Sequence, residues 1–261
     1  MPDARGYVES IEANLYVPLS AAAATAFRGG SGGELSDGQS RPAKIRALHS
    51  SAALAANVFD FWSGRGREPL DRALAVPSAS RALIFEAQFP TGLGGVPPNL
   101  DIALELSSGH VVAIESKFTE WMARRPASAA PFAAAYFPRG SSLWAKLGLT
   151  TCHELAVSLR AGAVRYQYLD AAQLLKHVAG LATQRPAKWS LRYLYYDLPG
   201  RVGDAHRSEL ADFEHRLGSS LPFQALSYQQ FFERLCGECV GDEAEDYTAW
   251  LRTRYFNAAV V

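Results

Sequence analysis

Three charged residues in two short apolar segments have the side chains needed for phosphodiester hydrolysis. Asp101 lies in the segment NLDIALEL at 99–106, and Glu115 and Lys117 lie in HVVAIESKF at 110–118. Two carboxylates can bind a hard divalent cation, and a nearby lysine can stabilise the negative charge that grows on a phosphate. The combination is compatible with metal-dependent hydrolysis of a phosphodiester, but so short a motif also occurs by chance, and its structural context decides its meaning.

The spacing of these residues predicts that they converge on one face of a β-hairpin. Both segments have the length and composition of strands, and the intervening residues 107–109 (Ser-Ser-Gly) suit a three-residue loop with glycine in the left-handed conformation. Such a loop places Asp101 directly opposite Glu115. Because side chains alternate along a strand, Lys117 emerges on the same face.

A surface salt bridge between Asp101 and Lys117, with Glu115 as a solvated neighbour, is the alternative interpretation. An exposed ion pair of this kind contributes only about 0–1 kcal/mol to stability. It does not explain why two small apolar residues, Ala103 and Ala113, continue the same face inward and leave the charges at its rim. The spacing therefore favours a functional site over a surface salt bridge.

The elements around this hairpin predict an α/β fold with a mixed sheet of four or more strands, flanked by helices and followed by additional C-terminal helices. We expect an irregular N-terminal segment at 1–47 and a single domain at 48–261. Apolar periodicity and turn residues give the boundaries of the elements. The predicted helices are 50–62, 142–160, 169–182, 204–217, 227–239 and 243–255, and the predicted strands are 82–89, 99–106, 110–118 and 191–198.

The order of these elements resembles the core of the PD-(D/E)xK nuclease superfamily, which has a restriction-endonuclease-like fold. The similarity is closer to a group of uncharacterised bacterial restriction endonucleases. It is carried by LHSSAALAANVF at 48–59, the TG…PPNLD turn at 91–101, IESKFTEW at 114–121 and YLDAAQLLKHVAGL at 168–181. The resemblance implies an endonuclease, with DNA as the expected substrate and restriction or defence as the expected role. A catalytically inactive nucleic-acid- or protein-binding module on the same fold is the alternative.

The resemblance also implies a role for each charged residue. In that superfamily the aspartate of the second strand and the glutamate of the third bind a divalent metal, and the lysine contacts the attacking water and the scissile phosphate. These positions correspond here to Asp101, Glu115 and Lys117. Mg²⁺ is the expected ion, with Mn²⁺ as a substitute, and the main-chain carbonyl of Ser116 is a candidate third ligand.

The chain departs from the superfamily pattern at two positions. Some members take a further acidic ligand from the first core helix, but residues 50–59 contain none, so Glu86 is the nearest substitute. A solvated strand carboxylate is an equal alternative for Glu86. Some members carry a Gln-x-x-x-Tyr motif, which Gln173 matches while His177 replaces the tyrosine. For these two residues a polar helix face in solvent is slightly favoured over a catalytic role.

The residues that follow the motif strand are candidates for contacts with nucleic acid. Trp121, Arg124 and Arg125 could contact phosphates, although solvated surface residues are the more frequent alternative. The net charge of zero argues against a general electrostatic binder of nucleic acid but does not exclude a local basic groove. Double-stranded DNA is the expected partner, and a homodimer is left open. The absence of a long apolar run predicts a cytoplasmic protein.

The cysteines suggest free thiols more than a metal site. Cys236 and Cys239 form a lone CxxC pair, and Cys152 stands next to His153. Structural zinc requires four ligands, usually in two close pairs. We therefore expect reduced thiols without zinc. A hydrolase that uses Cys152 with a histidine is a remote alternative, because no nucleophile motif surrounds that residue.

Overall fold

The computed structural model describes residues 2–30, 33–39, 41–123, 130–138, 141–185, 188–219 and 221–257. In these residues a five-stranded mixed sheet is flanked by helices, and the fold is of the α/β class that the sequence predicts. The strands are β1 (Ser80–Gln88), β2 (Asn99–Leu106), β3 (Val111–Lys117), β4 (Trp189–Tyr195) and β5 (Phe223–Ser227). The helices are α1 (Ala21–Gly29), α2 (Ser51–Phe59), α3 (Glu68–Ala73), α4 (Leu143–Lys146), α5 (Thr150–Ala161), α6 (Ala171–Gln184), α7 (Arg201–Leu217), α8 (Tyr228–Glu238) and α9 (Asp242–Leu251). Within the described ranges, no helix combines the length and apolar character of a membrane crossing.

The strands lie in chain order across the sheet, and the predicted hairpin register is confirmed. β1, β2 and β3 form an antiparallel meander, and β4 and β5 continue the sheet in parallel to β3. Ile102 pairs with Ile114, as a three-residue loop requires. The loop closes where the N–H of Gly109 donates a 2.9 Å hydrogen bond to the carbonyl of Leu106, and Gly109 has a φ of 80°.

Helices cover both faces of the sheet, which explains why its central strand is apolar on both sides. The buried side chains of α1, α2, α3, α8 and α9 form one hydrophobic core with one face. Those of α4, α5, α6 and α7 form a second core on the other. Along β3, Val112 and Ile114 point into the first core, whereas Val111 and Ala113 point into the second. Glu115 continues the second face by the same alternation.

The expectation of an irregular N-terminal segment is wrong, because the alanine-rich stretch at 21–29 forms α1. The hydroxyl of Ser20 caps this helix by accepting a 3.1 Å hydrogen bond from the N–H of Ala23. Phe27 packs on Phe85 of β1 with ring centroids 5.5 Å apart. Only Ala23 and Phe27 are buried in this helix, and so short an apolar stripe does not identify a helix from sequence.

Short elements account for the other differences from the predicted boundaries. β5 has five residues and α3 has six, so neither offers enough repeats of an apolar pattern to be recognised. The predicted helix at 142–160 is two helices, because Gly148 adopts a left-handed φ of 73° between α4 and α5. The last predicted helix ends at Leu251 and continues as a π-helical turn at Arg252–Phe256.

Candidate active site

The hairpin of β2 and β3 brings Asp101 beside Glu115. The regular pairing of the two strands reaches Ile102 and Ile114, and the next position in that register joins Asp101 to Glu115. At this position a side chain links the two strands. The Oδ2 of Asp101 accepts a 2.7 Å hydrogen bond from the main-chain N–H of Ser116. The carboxylate of Asp101 is thus held against the backbone of the strand that carries the other two motif residues.

Glu115 is the centre of the site and has only 2% of its surface exposed. Its Oε1 lies 2.6 Å from the Nζ of Lys117. Its Oε2 lies 3.0 Å from the Nε2 of His177, although the imidazole ring is not aligned for a hydrogen bond. Among the described residues, neither Oε2 nor either ring nitrogen of His177 has a hydrogen-bond partner. One oxygen of a buried carboxylate therefore lacks a hydrogen bond.

The charged groups of the site change one another's pKa. Burial, and then repulsion by Glu115, raise the pKa of Asp101 well above its ordinary value. Burial would also raise the pKa of Glu115, but the electrostatic effects of Lys117 and His177 outweigh it and lower that pKa to about 2. The pKa of Lys117 is raised, because the attraction of Glu115 and Asp101 exceeds the effect of burial. The site thus holds a Glu–Lys ion pair beside a carboxyl group that ionises with difficulty.

The side chain of Ser116 points away from these charges. Its Oγ lies 2.6 Å from the hydroxyl of Tyr228 on α8, and both residues are buried. This contact attaches the end of β3 to the helix layer on the opposite face of the sheet. Only the main chain of Ser116 can therefore contribute to the site, which is consistent with its N–H bond to Asp101 and leaves its carbonyl as the candidate ligand.

Glu86 lies across from Asp101 on β1 and has an unusual backbone conformation. Phe85 and Ala87 pair with the residues on either side of Asp101, and Glu86 between them has a φ of 52°. The amide of Asn99 donates a hydrogen bond to its carboxylate. Burial, opposed in part by this bond, raises the pKa of Glu86. Glu86 is half-buried and hydrogen-bonded, so its carboxylate is held beside the site while part of its surface stays in solvent.

α6 presents His177 to the site. The carboxylate of Asp170 caps this helix by accepting a 2.8 Å hydrogen bond from the N–H of Gln173. At Gly180 the helix approaches the chain after β1 so closely that a Cβ would lie 2.2 Å from the carbonyl oxygen of Phe89. This approach brings His177 against Glu115 with 2% exposure, so a solvent-exposed helix face is wrong for His177.

Gln173, the other residue of the predicted motif, is one turn before His177 on α6. It is half-buried, and its side chain makes no hydrogen bond within the described ranges. The sequence places Gln173 and His177 on one helix face, but only His177 reaches the charged cluster. The signal that singles out His177 is its position among apolar residues: it is the only buried polar residue of α6, which the structure describes in full.

The predicted contacts with nucleic acid fall largely outside the structure. Arg124 and Arg125 lie outside the described residues. Trp121 is 4% exposed and stacks on His206 of α7, with ring centroids 4.2 Å apart. A buried indole is not available for the candidate contact with phosphates. Its indole attaches the chain that leaves β3 to the helix layer of the second core, where His206 also lies 3.1 Å from the hydroxyl of Tyr193.

The donors of the site suit a hard cation. In the part of the chain that the structure describes, no group of three or more His, Cys, Asp or Glu side chains could hold a metal. Asp101 and Glu115 supply carboxylate oxygens only, and Mg²⁺ typically binds one or two carboxylates and completes its shell with water and substrate oxygens. The three cysteines are free thiols, and the absence of zinc from Cys236 and Cys239 stays a prediction.

One comparison with known proteins gives a match that covers most of the chain. A family model described as Restriction Endonuclease associating with ARP matches residues 31–256. That range includes the whole sheet and Asp101, Glu115 and Lys117. Comparisons with curated proteins and with solved structures give no match.

Proposed function

This chain belongs to the family described as Restriction Endonuclease associating with ARP, and from that premise we propose that it is a divalent-metal-dependent endonuclease of the PD-(D/E)xK type. The proposed substrate is DNA, in its double-stranded form. The proposed catalytic set is Asp101, Glu115 and Lys117. One observation carries the proposal: the buried Glu115 has one oxygen on Lys117 and the other without a hydrogen-bond partner among the described residues, next to a second carboxylate.

The electrostatics support a divalent cation at this position. Two neighbouring carboxylates face one lysine, and mutual repulsion with burial raises the pKa of Asp101. A cation bound by Asp101 and Glu115 would remove this repulsion and satisfy the unpartnered oxygen of Glu115. Bound there, with the Ser116 carbonyl as the proposed third ligand, Mg²⁺ would supply a Lewis acid for attack on the phosphate.

Three further residues of the site would have separate roles in the reaction. Lys117 keeps its charge, because Glu115 and Asp101 raise its pKa, and it would donate to the scissile phosphate or hold the attacking water. The hydrogen bond from Ser116 would fix the orientation of Asp101. Glu86, whose charge acts on both motif carboxylates, would add a third carboxylate at the rim of the site.

The remaining parts of the proposal rest on the family description and on the sequence. We propose association with ARP from the description of the family. A role in restriction or defence, a cytoplasmic location, phosphate contacts by Arg124 and Arg125, and a homodimer stay proposals of the same kind.

Cleavage of plasmid DNA by the purified protein tests the proposed function. With Mg²⁺ or Mn²⁺ the wild type should nick or cut the plasmid, and EDTA should abolish the reaction. Asp101→Ala and Glu115→Ala should lose metal binding, measured by calorimetric titration, together with cleavage. Lys117→Ala should keep its metal while cleaving about 10²-fold or more slowly, as for the loss of a donor to the developing charge.

A matched lysine variant separates the site from general effects of charge. Lys146 is exposed on α4, and Lys146→Ala should cleave at the wild-type rate. Cleavage by Lys117→Ala at the wild-type rate would contradict the proposal and would assign the activity to another site or to a contaminant. Binding of DNA without cleavage under any metal condition would instead support the inactive binding module.

A further inference from the structure

We propose that His177 is a positioning residue, which orients the carboxylate of Glu115 for metal binding through its unpartnered oxygen. This inference rests on the proposed function of the site. The Nε2 of His177 and the Oε2 of Glu115 are 3.0 Å apart, and each side chain is 2% exposed. The distance suits a hydrogen bond, although the ring is not aligned for one in this conformation.

Packing alone does not explain a histidine at this position. The other buried residues of α6 are all apolar: Ala171, Ala172, Leu174, Leu175, Val178, Ala179, Gly180 and Leu181. Buried polar atoms in folded proteins nearly always have hydrogen-bond partners, and a missing bond costs about 1–3 kcal/mol. An apolar side chain at 177 would fill the same space without this cost. The polar atoms of the imidazole therefore call for an explanation other than packing.

The contacts of Glu115 indicate what those atoms do. Lys117 holds Oε1 at 2.6 Å, and the imidazole stands at the other oxygen. Without the imidazole, the carboxylate could rotate so that both of its oxygens approach Lys117. The ammonium group would then compete with a cation for the same oxygens. A small rotation of the His177 ring, by contrast, would direct an N–H at Oε2 and fix the plane of the carboxylate while leaving room for a ligand bond.

The close packing of α6 keeps the imidazole at this distance. Gly180 lies one turn after His177, at the point where the helix touches the carbonyl of Phe89. Because α6 is seated against the chain between β1 and β2, the position of His177 relative to Glu115 is set by the backbone. Residues that hold a metal ligand in this way typically change metal affinity by about 10–100-fold when they are replaced.

Two amide variants test the inference in the full-length protein. A glutamine amide can occupy the position of Nε2 and donate to Glu115, whereas the shorter asparagine amide stops near the position of Nδ1. After removal of metal with EDTA and dialysis, Mn²⁺ is titrated calorimetrically into wild type, His177→Gln and His177→Asn. We expect His177→Asn to bind Mn²⁺ about 10–100-fold more weakly and His177→Gln to stay within a few-fold of wild type. At saturating Mn²⁺, DNA cleavage by His177→Asn should recover, because the variant loses affinity for the metal rather than a group that acts on the phosphate.

A packing control separates positioning from a loss of core contacts. Val178 is buried on the same helix, and Val178→Ala should lower the melting temperature while keeping the wild-type affinity for Mn²⁺. Equal affinities for wild type and His177→Asn would overturn the inference and leave the proposed function intact. Equal weakening in His177→Asn, His177→Gln and Val178→Ala would also overturn it. A wild type that binds no Mn²⁺ would overturn the proposed function itself.

Discussion

The carboxylate of Asp101 accepts a 2.7 Å hydrogen bond from the main-chain N–H of Ser116, so a side chain of β2 is joined to the backbone of β3. This bond lies one position beyond Ile102 and Ile114, the last regular pair of the hairpin. It links the two strands where their regular pairing has ended. The conformation of Asp101 is therefore set by the sheet before any ligand is present. The same placement costs free energy, because it holds the half-buried carboxylate next to Glu115.

Asp101→Asn should stabilise the metal-free protein at neutral pH. Asparagine keeps an acceptor for the Ser116 N–H but removes the charge that burial and Glu115 disfavour. The pKa of Asp101 is raised in the folded state, so the folded protein holds its proton more tightly than the unfolded chain. The carboxyl group of Asp101 therefore contributes to stability near pH 3.8, where it is protonated in the folded protein. This contribution is lost as pH rises through the pKa of the folded state. The advantage of the variant should be about 1.4 kcal/mol for each unit by which that pKa is raised.

Urea unfolding in EDTA at a series of pH values checks this prediction. The difference in free energy of unfolding between Asp101→Asn and wild type should be largest near pH 8 and should shrink as pH falls toward 4. The variant should also fail to bind Mn²⁺. A variant that is less stable than wild type at every pH would show that Asp101 is not electrostatically disfavoured in the folded protein.

Gly180→Ala should destabilise the protein and move His177 away from Glu115. The added Cβ would lie 2.2 Å from the carbonyl oxygen of Phe89, a distance that requires α6 or the chain after β1 to shift. Overpacking of this kind costs about 1–3 kcal/mol. Thermal unfolding measures the loss, and Mn²⁺ titration should show weaker binding in the same variant.

A second helical glycine provides the control for this substitution. Gly237 lies in α8, and a Cβ there would meet no atom within 4 Å. Gly237→Ala should therefore raise the free energy of unfolding by up to about 1 kcal/mol through helix propensity alone. If Gly180→Ala were stabilising to the same extent, the close approach of α6 to Phe89 would not exist in solution.

The local geometry of the hairpin could be predicted from sequence, because the loop at 107–109 and the period of two determine its register. Those two features place Ile102 opposite Ile114 and turn Asp101 toward Glu115 without reference to the rest of the fold. The burial of His177 could not be predicted in this way. It depends on how α6 packs on the sheet, through a contact between Gly180 and Phe89 that joins distant parts of the chain.

Glu86 shows a second limit of sequence reasoning. A strand pattern predicts extended backbone at this residue, but the structure has a φ of 52°, which non-glycine residues seldom adopt. Nothing in the local sequence marks this conformation, since glutamate has no preference for it. Strained residues of this kind often occur at functional sites.

Glu86→Gly should therefore impair cleavage without lowering stability. Glycine adopts a positive φ without the clash of a Cβ, which in a left-handed residue costs about 1 kcal/mol or more. This gain should offset the loss of the hydrogen bond from Asn99. We expect an unchanged or higher free energy of unfolding and slower cleavage at saturating Mg²⁺. Wild-type cleavage would show that Glu86 takes no part in the reaction.

Ala75 supplies the matched control for the backbone effect. It is an exposed residue after α3 with a φ of 50°, and it is the other non-glycine residue with a positive φ among those described. Ala75→Gly should give a similar gain in stability and leave cleavage at the wild-type rate. A loss of cleavage in both glycine variants would point to a general effect of backbone relaxation instead of a role for the Glu86 carboxylate.

The buried His206 should make stability fall in mildly acidic solution. Burial, and then the charge of Arg207, lower the pKa of His206 to about 4, below its ordinary value of 6.5. Between these two values the unfolded chain binds a proton that the folded protein does not. Stability should therefore rise with pH from about 4 to about 6.5 and gain nothing further from this group above that range. The full effect is about 3 kcal/mol, at about 1.4 kcal/mol for each unit of pKa.

His206→Phe isolates this contribution, because phenylalanine keeps an aromatic ring against Trp121 but cannot take up a proton. The variant loses the 3.1 Å contact with the hydroxyl of Tyr193, so it should be less stable than wild type at pH 7. As pH falls from 6.5 toward 4, the wild type should lose stability faster, and the difference between the two proteins should narrow or reverse. Urea unfolding at pH 7.0, 5.5 and 4.5, chosen to span roughly the window between the two pKa values, measures this difference. Parallel pH profiles for wild type and variant would mean that His206 is protonated equally in the folded and unfolded states, and that the stack with Trp121 opens to solvent.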